Sequence, residues 1–567
     1  MMMDAASTKN NSEDEDEDND NDETEDSFQK INTMYVNKIE KVASKYMNNP
    51  NTIITSNDTN DVEKILANEF SNCTIKDRTE IQEEIHGVHC MAPDETPELL
   101  TESLKQLSME LDNDDRIPVF EKHAYILSRQ LEQEHGKQKQ YTCCYVNSNE
   151  FHLMYLRCEL FDVRKAAKRL VQALDFLLEY FGQYALERKI KLSDFTKKEL
   201  NRMKKGYMQL LPSRDRGGRR ISITFPGNNH DIAALDTQKK IGFYLTLVCA
   251  TDIENQRKGI VSVIWIEQIL SKNPVGFHVK NRLKIHLFPV RFVSIHFCSR
   301  DILARRLAKA VLVARLNADL RVRFIYHFGE SVENRYEMKG YGMPTESLPI
   351  TWTGTIKTEN VKRFINLRSN VEENYPNNKE SNTTTNNRLS IIECPYLNDI
   401  LFKKGNHTLQ QSGNIQFQSI VWSIYKQHLQ QNMMNQDKKI SKNLQSPLPP
   451  VISAITTKML VPDILNKIKQ DNLRVLVWEK EHGWWNCFNE ESDYRKHVHF
   501  GALHILRKEP SSNNRLDSAS LITTSITSDS DDEDRMTSCG QCFGKSFVPY
   551  DVDANNDTLY ESDLYLK

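Results

Sequence analysis

Nowhere does the chain hold the roughly 18 consecutive uncharged apolar residues that a membrane-spanning helix needs, which leaves peripheral contact as the expected form of membrane association. Hydrophobic residues are also scarce, at 39% of 567, and the mean hydropathy is -0.60. Composition so poor in apolar material implies two domains joined and flanked by long unstructured segments. Cysteine is present eleven times but without framework spacing, and Met1 to Asn11 has no apolar signal core. Reduced thiols and an intracellular, cytoplasmic protein are the expectation, with peripheral membrane or nuclear placement left open. The pair Cys539 and Cys542 has no second pair beside it and is read as structurally idle. No P-loop, nucleophile elbow or paired metal motif occurs, so the expectation is a protein that is not an enzyme, with no catalytic residue, cofactor or metal.

What is there is organised by charge. The chain sums to -4, yet residues 151–350 carry 35 Lys and Arg against 19 Asp and Glu. The complement lies in the termini. Residues 1–26 are dominated by Asp, Glu and Asn, with the unbroken run Glu13 to Asp18, and the chain after Ser511 returns to Ser, Asp and Asn. Neither end can bury enough apolar surface to offset chain entropy, so both are expected to be disordered acidic tails. A basic module between them suits an anionic membrane surface, at about 1 kcal/mol per basic residue held close. Nucleic acid is attracted by the same field, and a solvated basic face without a partner is the plainer alternative.

Periodicity divides the interior. Residues 1–96 are read as the disordered N-terminal region, with order beginning near Pro97. Residues 97–150 form a helical preface on the spacing Leu100, Leu104, Leu107, Leu111 and Val119, Ala124, Leu127, Leu131. Asp162 is placed to cap a helix whose apolar positions run from Val163 through Ala167, Leu170, Leu174 and Leu177 to Phe181. A polar helical segment is expected up to about Leu210, then a turn from Leu211 to Arg220. Strands follow at Ile221–Phe225, Ile260–Ile266, Val290–Cys298 and Val322–Phe328, with helices over 232–249 and 302–320 between them. Alternating helix and strand favours a mixed α/β sheet, and the last two strands are apolar on both parities, as for strands covered on both faces.

Four pieces of this stretch carry a resemblance: Leu156-Arg-Cys-Glu-Leu-Phe-Asp-Val-Arg-Lys-Ala-Ala167, Asp215-Arg-Gly-Gly-Arg-Arg220, Pro289-Val-Arg-Phe-Val-Ser-Ile-His-Phe297 with Leu320-Arg-Val-Arg-Phe-Ile325, and Tyr341-Gly-Met-Pro-Thr-Glu-Ser-Leu-Pro349. In this order they resemble the CRAL-TRIO fold of phosphatidylinositol- and tocopherol-transfer proteins, over about a third of the chain. The resemblance implies an α/β domain at 151–350 with a mixed sheet, a lipid cavity and a gate helix at 302–320. It departs from the family in lacking the aspartate and glycine of the third strand region, where Gly259-Ile-Val-Ser-Val-Ile-Trp-Ile266 stands, and in continuing Leu348-Pro349 with Ile350-Thr351. The implied ligand is a hydrophobic phospholipid or isoprenoid-type lipid, lined by Ile221, Ile223, Val263, Trp265, Phe292, Ile295, Phe297, Leu303 and Leu307. Arg305, Arg306, Lys309 and Arg315 would meet an anionic surface.

Residues 351–394 are read as a linker, being rich in Asn, Glu and Thr from Val371 to Arg388. Beyond it, residues 395–508 are expected to form a small α+β domain. It has a helix through Phe417, Ile420, Val421 and Ile424, a second helix broken at Pro462, a hairpin from Leu473–Trp478 to Trp484–Phe488, and a closing helix to Leu506. Asp399-Ile-Leu-Phe-Lys-Lys-Gly405, Gln411-Ser-Gly-Asn414 and Gly483-Trp-Trp485 resemble an uncharacterised domain with Asp-Val-Leu-x-Gly-Arg-Gly, His-Pro-Gly-Asn and Gly-Trp-Trp motifs. Fifteen Lys and Arg against nine Asp and Glu over 395–508 are compatible with phosphate contacts. Lipid binding with recruitment of an unknown protein partner is the leading reading. The alternative is a regulatory protein that binds nucleic acid through 395–508.

Overall fold

The computed structural model describes residues 73–507 apart from 138–143, 226–231, 267–286, most of 301–317, 374–389, 404–410, 441–456 and 489–490, together with Asn37 and Lys41. The acidic tails, and Cys539 and Cys542, lie outside the described residues.

Order begins before Pro97. Helix α1 (Ile75–Ile85) opens on a reciprocal capping box between Thr74 and Asp77. This corrects the reading of residues 1–96 as wholly disordered. The helix is poor in apolar residues, and a single buried carboxylate, Glu84, with Ile81 and Ile85 holds it to the sheet. Helices α2 (Pro97–Asp112), α3 (His123–Lys137), α4 (Asn149–Cys158) and α5 (Val163–Phe181) follow. Asp162 caps α5 by accepting from the Lys165 amide at 3.0 Å, and the expected apolar stripe is buried from Ala167 to Phe181, with Val163 partly so.

The first sheet runs β1 (Met208–Arg214), β2 (Arg220–Thr224), β3 (Ile260–Ile266), β4 (Phe292–Ser299), β5 (Phe324–Phe328), in sequence order. β1 is antiparallel to β2, and all later neighbours are parallel. The polar helix expected up to Leu210 ends instead at Met203, and β1 occupies 208–214. Pairing with β2 overrides local composition there. Pro212 is tolerated because β1 is an edge strand, with a register shift between Leu210 and Arg214. In the β1–β2 turn the Asp215 carboxylate accepts from the Arg219 amide at 2.8 Å and from its guanidinium at 2.6 Å.

Period-two alternation gives the sheet two buried faces. One packs against helices α2 to α5, α6 (Ile232–Ala250) and α8 (Glu359–Glu373). The other is closed by α7 (Ser331–Gly340) and the segment through Met343, Leu348 and Ile350. Helix α8 falls inside the expected linker 351–394, which is corrected accordingly: its Val361 and Phe364 join the core of the first module, and Leu367 is buried as well. The Asn-rich composition that suggested a linker starts only where α8 ends.

The second module begins at β6 (Ser390–Ile392), slightly before the expected 395. It contains β7 (Ile400–Phe402), α9 (Ser412–Ile440), α10 (Thr457–Gln470), β8 (Val475–Glu479), β9 (Trp484–Cys487) and α11 (Glu491–Arg507), with sheet order β6-β9-β8-β7. The expected hairpin is present as β8 and β9. Pro462 lies inside α10 rather than breaking it. Burial of Leu460, Val461, Ile464, Leu465 and Ile468 against the helices and sheet around them offsets the roughly 3 kcal/mol that an interior proline costs.

Motif residues of this module have structural tasks. Gly413 lies so close to the Asp399 carbonyl that a Cβ would sit 2.1 Å from its oxygen. The Asn414 side chain accepts from the Leu401 amide at 2.7 Å and donates to its carbonyl at 2.9 Å, pinning β7. Asp399 takes both arms of Arg474 at 2.8 and 2.6 Å. The modules are joined at Tyr396, whose ring lies between the guanidiniums of Arg214 (4.6 Å) and Arg474 (4.0 Å) and whose hydroxyl donates to Asp252 at 2.7 Å. Arg214 also donates to the Pro395 carbonyl at 3.0 Å.

Candidate functional site

The nine expected lining residues do not share one surface. Ile221, Ile223, Val263 and Trp265 point to the face closed by α7, packed with Met338, Met343 and Leu348. Phe292, Ile295 and Phe297 point to the opposite, helix-covered face. A β-bulge sets this division: Ile260 pairs with Phe292 but Val261 with Ser294, so Val293 is an extra residue and the parity of β4 is reset. Leu303, Leu307, Arg305, Arg306 and Arg315 lie outside the described residues.

On the helix-covered face an aromatic array extends toward the C-terminal ends of the parallel strands. Phe324 lies 4.6 Å from Tyr326, Tyr326 stacks 6.1 Å from Phe328, and Phe297 is within 6.2 Å of both Phe324 and Tyr326. Across the face, Phe288 lies 5.9 Å from Phe292 and 6.0 Å from Phe243. Phe292, Phe297 and Phe324 are buried, whereas Ile264, Phe288, Tyr326 and Phe328 are half-buried and form the rim of the array. Lys309, the one described residue of the expected anionic-surface set, holds its ammonium 4.3 Å from the centre of the Tyr326 ring.

The opposite face holds a polar chain that sequence reasoning did not single out. Glu337 on α7 pairs with His327 Nδ1 on β5, His327 Nε2 lies 3.0 Å from His296 Nδ1 on β4, and His296 Nε2 lies 3.1 Å from Ser294 Oγ. An ionised carboxylate only accepts, which fixes the direction. His327 Nδ1–H donates to Glu337, His296 Nδ1–H to His327 Nε2, and the Ser294 hydroxyl to His296 Nε2. Each imidazole then carries one proton and is neutral. Burial, then the neighbouring His327 and Arg219, pushes the His296 pKa far below the usual imidazole value. Burial also lowers that of His327, against the opposing pull of Glu337. Tyr341 stands edge-on to His296 at 4.7 Å and to His327 at 5.5 Å, and is stacked by His86 at 4.8 Å. Ser294 is fully buried, so its hydroxyl orients β4 and is closed to substrate.

Beside it, the Glu84 carboxylate receives Arg291 at 2.6 and 2.7 Å and Arg323 at 2.7 Å. Burial alone would raise the Glu84 pKa, but the two guanidiniums outweigh it and hold the carboxyl at about 2. Arg219 donates to the Glu84 and Ile85 carbonyls, completing the attachment of α1. Local periodicity gives no sign of either cluster, because their members come from elements far apart in sequence. The only local hint is polar residues inside apolar strands, at Ser294, His296 and His327.

Among the described residues no group of three or more His, Cys, Asp or Glu is arranged to hold a metal ion, and no helix is long and apolar enough to cross a membrane. No family model matches the chain, and no curated protein is significantly similar to it.

Proposed function

We propose that the first module binds a hydrophobic ligand, a phospholipid or isoprenoid-type lipid of the kind implied by the CRAL-TRIO resemblance, against the aromatic array of β4 and β5. The observation that carries this reading is the half-buried rim of Ile264, Phe288, Tyr326 and Phe328 around buried Phe292, Ile295 and Phe297. Open α/β sheets take ligands outside the carboxyl ends of their strands, which is where Ile264, Tyr326 and Phe328 lie, while Phe288 borders the array at the amino end of β4. Each methylene of a buried acyl or prenyl tail contributes about 0.8 kcal/mol, so affinity requires no catalytic group. The lining is thereby narrowed: Ile221, Ile223, Val263 and Trp265 serve as core of the other face. The basic excess of residues 151–350 supports approach to an anionic membrane surface.

The test is lipid transfer between liposomes by the full chain. Phe328→Ala is expected to slow transfer several-fold, since removing one half-buried ring loses roughly 1 kcal/mol of ligand contact. Met343→Ala, on the opposite face, should leave the rate unchanged. Equal effects of the two substitutions would remove the array from the account.

A further inference from the structure

A second cluster of side chains, separate from the aromatic array, lies where the modules meet. Trp478, on β8, is turned edge-on to Trp485 with ring centres 5.0 Å apart, which fixes its indole. Two cations converge on it. The Lys403 ammonium, just after β7, sits 4.3 Å from the indole centre, and the Arg363 guanidinium, from α8 of the first module, sits 5.9 Å away. The Arg363 stem lies along the β8–β9 turn, where a Cβ added to Gly483 would meet it at 3.5 Å. Both side chains are exposed, and neither makes an ion pair among the described residues. Glu479 and Glu481 belong to the same hairpin and pair with neither cation. The stretch 404–410 contains no Asp or Glu at all.

Like charges held together without a counter-anion repel, and the repulsion is relieved by an anion between them. Although Lys403 keeps exposed surface, loss of water around its ammonium and then the nearby Arg363 charge lower its pKa, as expected for an uncompensated pair. We infer that Arg363 and Lys403, positioned by Trp478, bind a phosphomonoester. A phosphomonoester carries about -1.5 to -2 charges at neutral pH and so matches two cations, whereas a carboxylate matches one. Guanidinium and ammonium supply the forked and the point-charge modes of phosphate recognition together. The phosphate is carried by a soluble ligand or by a lipid headgroup, and the site stands or falls independently of the aromatic array.

The test uses the full chain in two arms. Equilibrium dialysis with radiolabelled inorganic phosphate is expected to show one saturable site per chain that Arg363→Gln or Lys403→Gln weakens about tenfold, the loss of one charge-assisted contact. Lys403→Arg should retain binding, and so should Lys480→Gln, which removes a neighbouring exposed charge. Sedimentation with phosphatidylcholine vesicles, with and without phosphatidylinositol 4-phosphate, identifies the source. Phosphate-dependent sedimentation lost in both Gln variants indicates a headgroup, and dialysis binding without it indicates a soluble ligand. No saturable binding in either arm, or equal binding by wild type and both Gln variants, overturns the proposal.

Discussion

Glu84 is a buried carboxylate on which two buried guanidiniums depend. It neutralises Arg291 and Arg323, both almost fully buried. Glu84→Gln leaves two guanidiniums without a counter-charge and should cost about 3–5 kcal/mol, measurable by denaturant unfolding. Acid acts on the first module through its buried histidines. Burial lowers the His152 pKa to about 4, and His296 and His327 are depressed as well. A histidine kept neutral in the folded state but titrating near 6.5 when unfolded takes up its proton preferentially on unfolding. Its contribution is therefore complete above about pH 6.5 and declines as the pH falls toward the folded value. For His152 alone the loss at pH 5 is about 2 kcal/mol. Melting curves from pH 8 to 5 should show a steep decline below pH 6.5, and His296→Asn should make that decline shallower. An unchanged slope would mean that the His296 proton is not excluded by the fold.

Elements fixed by local pattern were legible before the fold was known, and those fixed by partners were not. Helix α5 and strand β3 announce themselves through the Asp162 cap with its apolar stripe and through the continuous apolar run Ile260–Ile266. β1 is different: Met208–Arg214 contains a proline and polar residues, and only its pairing with β2 makes it a strand. Helix α1 shows almost no apolar face, because its attachment is one carboxylate, two isoleucines and backbone carbonyls that accept from Arg219. Helix α8 was hidden by the Asn-rich stretch that follows it. At the candidate site, apolar runs on both parities marked the strands, but the bulge at Val293 that divides the lining residues between two faces has no sequence signature. Deleting residues 1–96 removes α1, and should lower the melting temperature by roughly 10 °C or more, given the ion cluster and the apolar burial lost.

The two modules are bound together by the Tyr396 stack, the Arg214 bond to Pro395 and the Arg220 to Glu393 ion pair at 2.6 Å. A fragment confined to residues 140–360 discards Glu84, all but the first residues of α8 and every one of these contacts. It should therefore unfold at lower denaturant than the full chain, with Arg220 deprived of its Glu393 partner, although Arg214 keeps Asp252 and Asn255. This coupling also brings α8 against the second sheet, which is how Arg363 reaches Trp478. The central claim concerns the first module, and it is tested most directly by extracting the purified full-length protein and identifying what it carries by mass spectrometry. The account predicts close to one lipid with an apolar tail per chain, retained through chromatography. Protein that carries no lipid, and that moves none between liposomes, would contradict it.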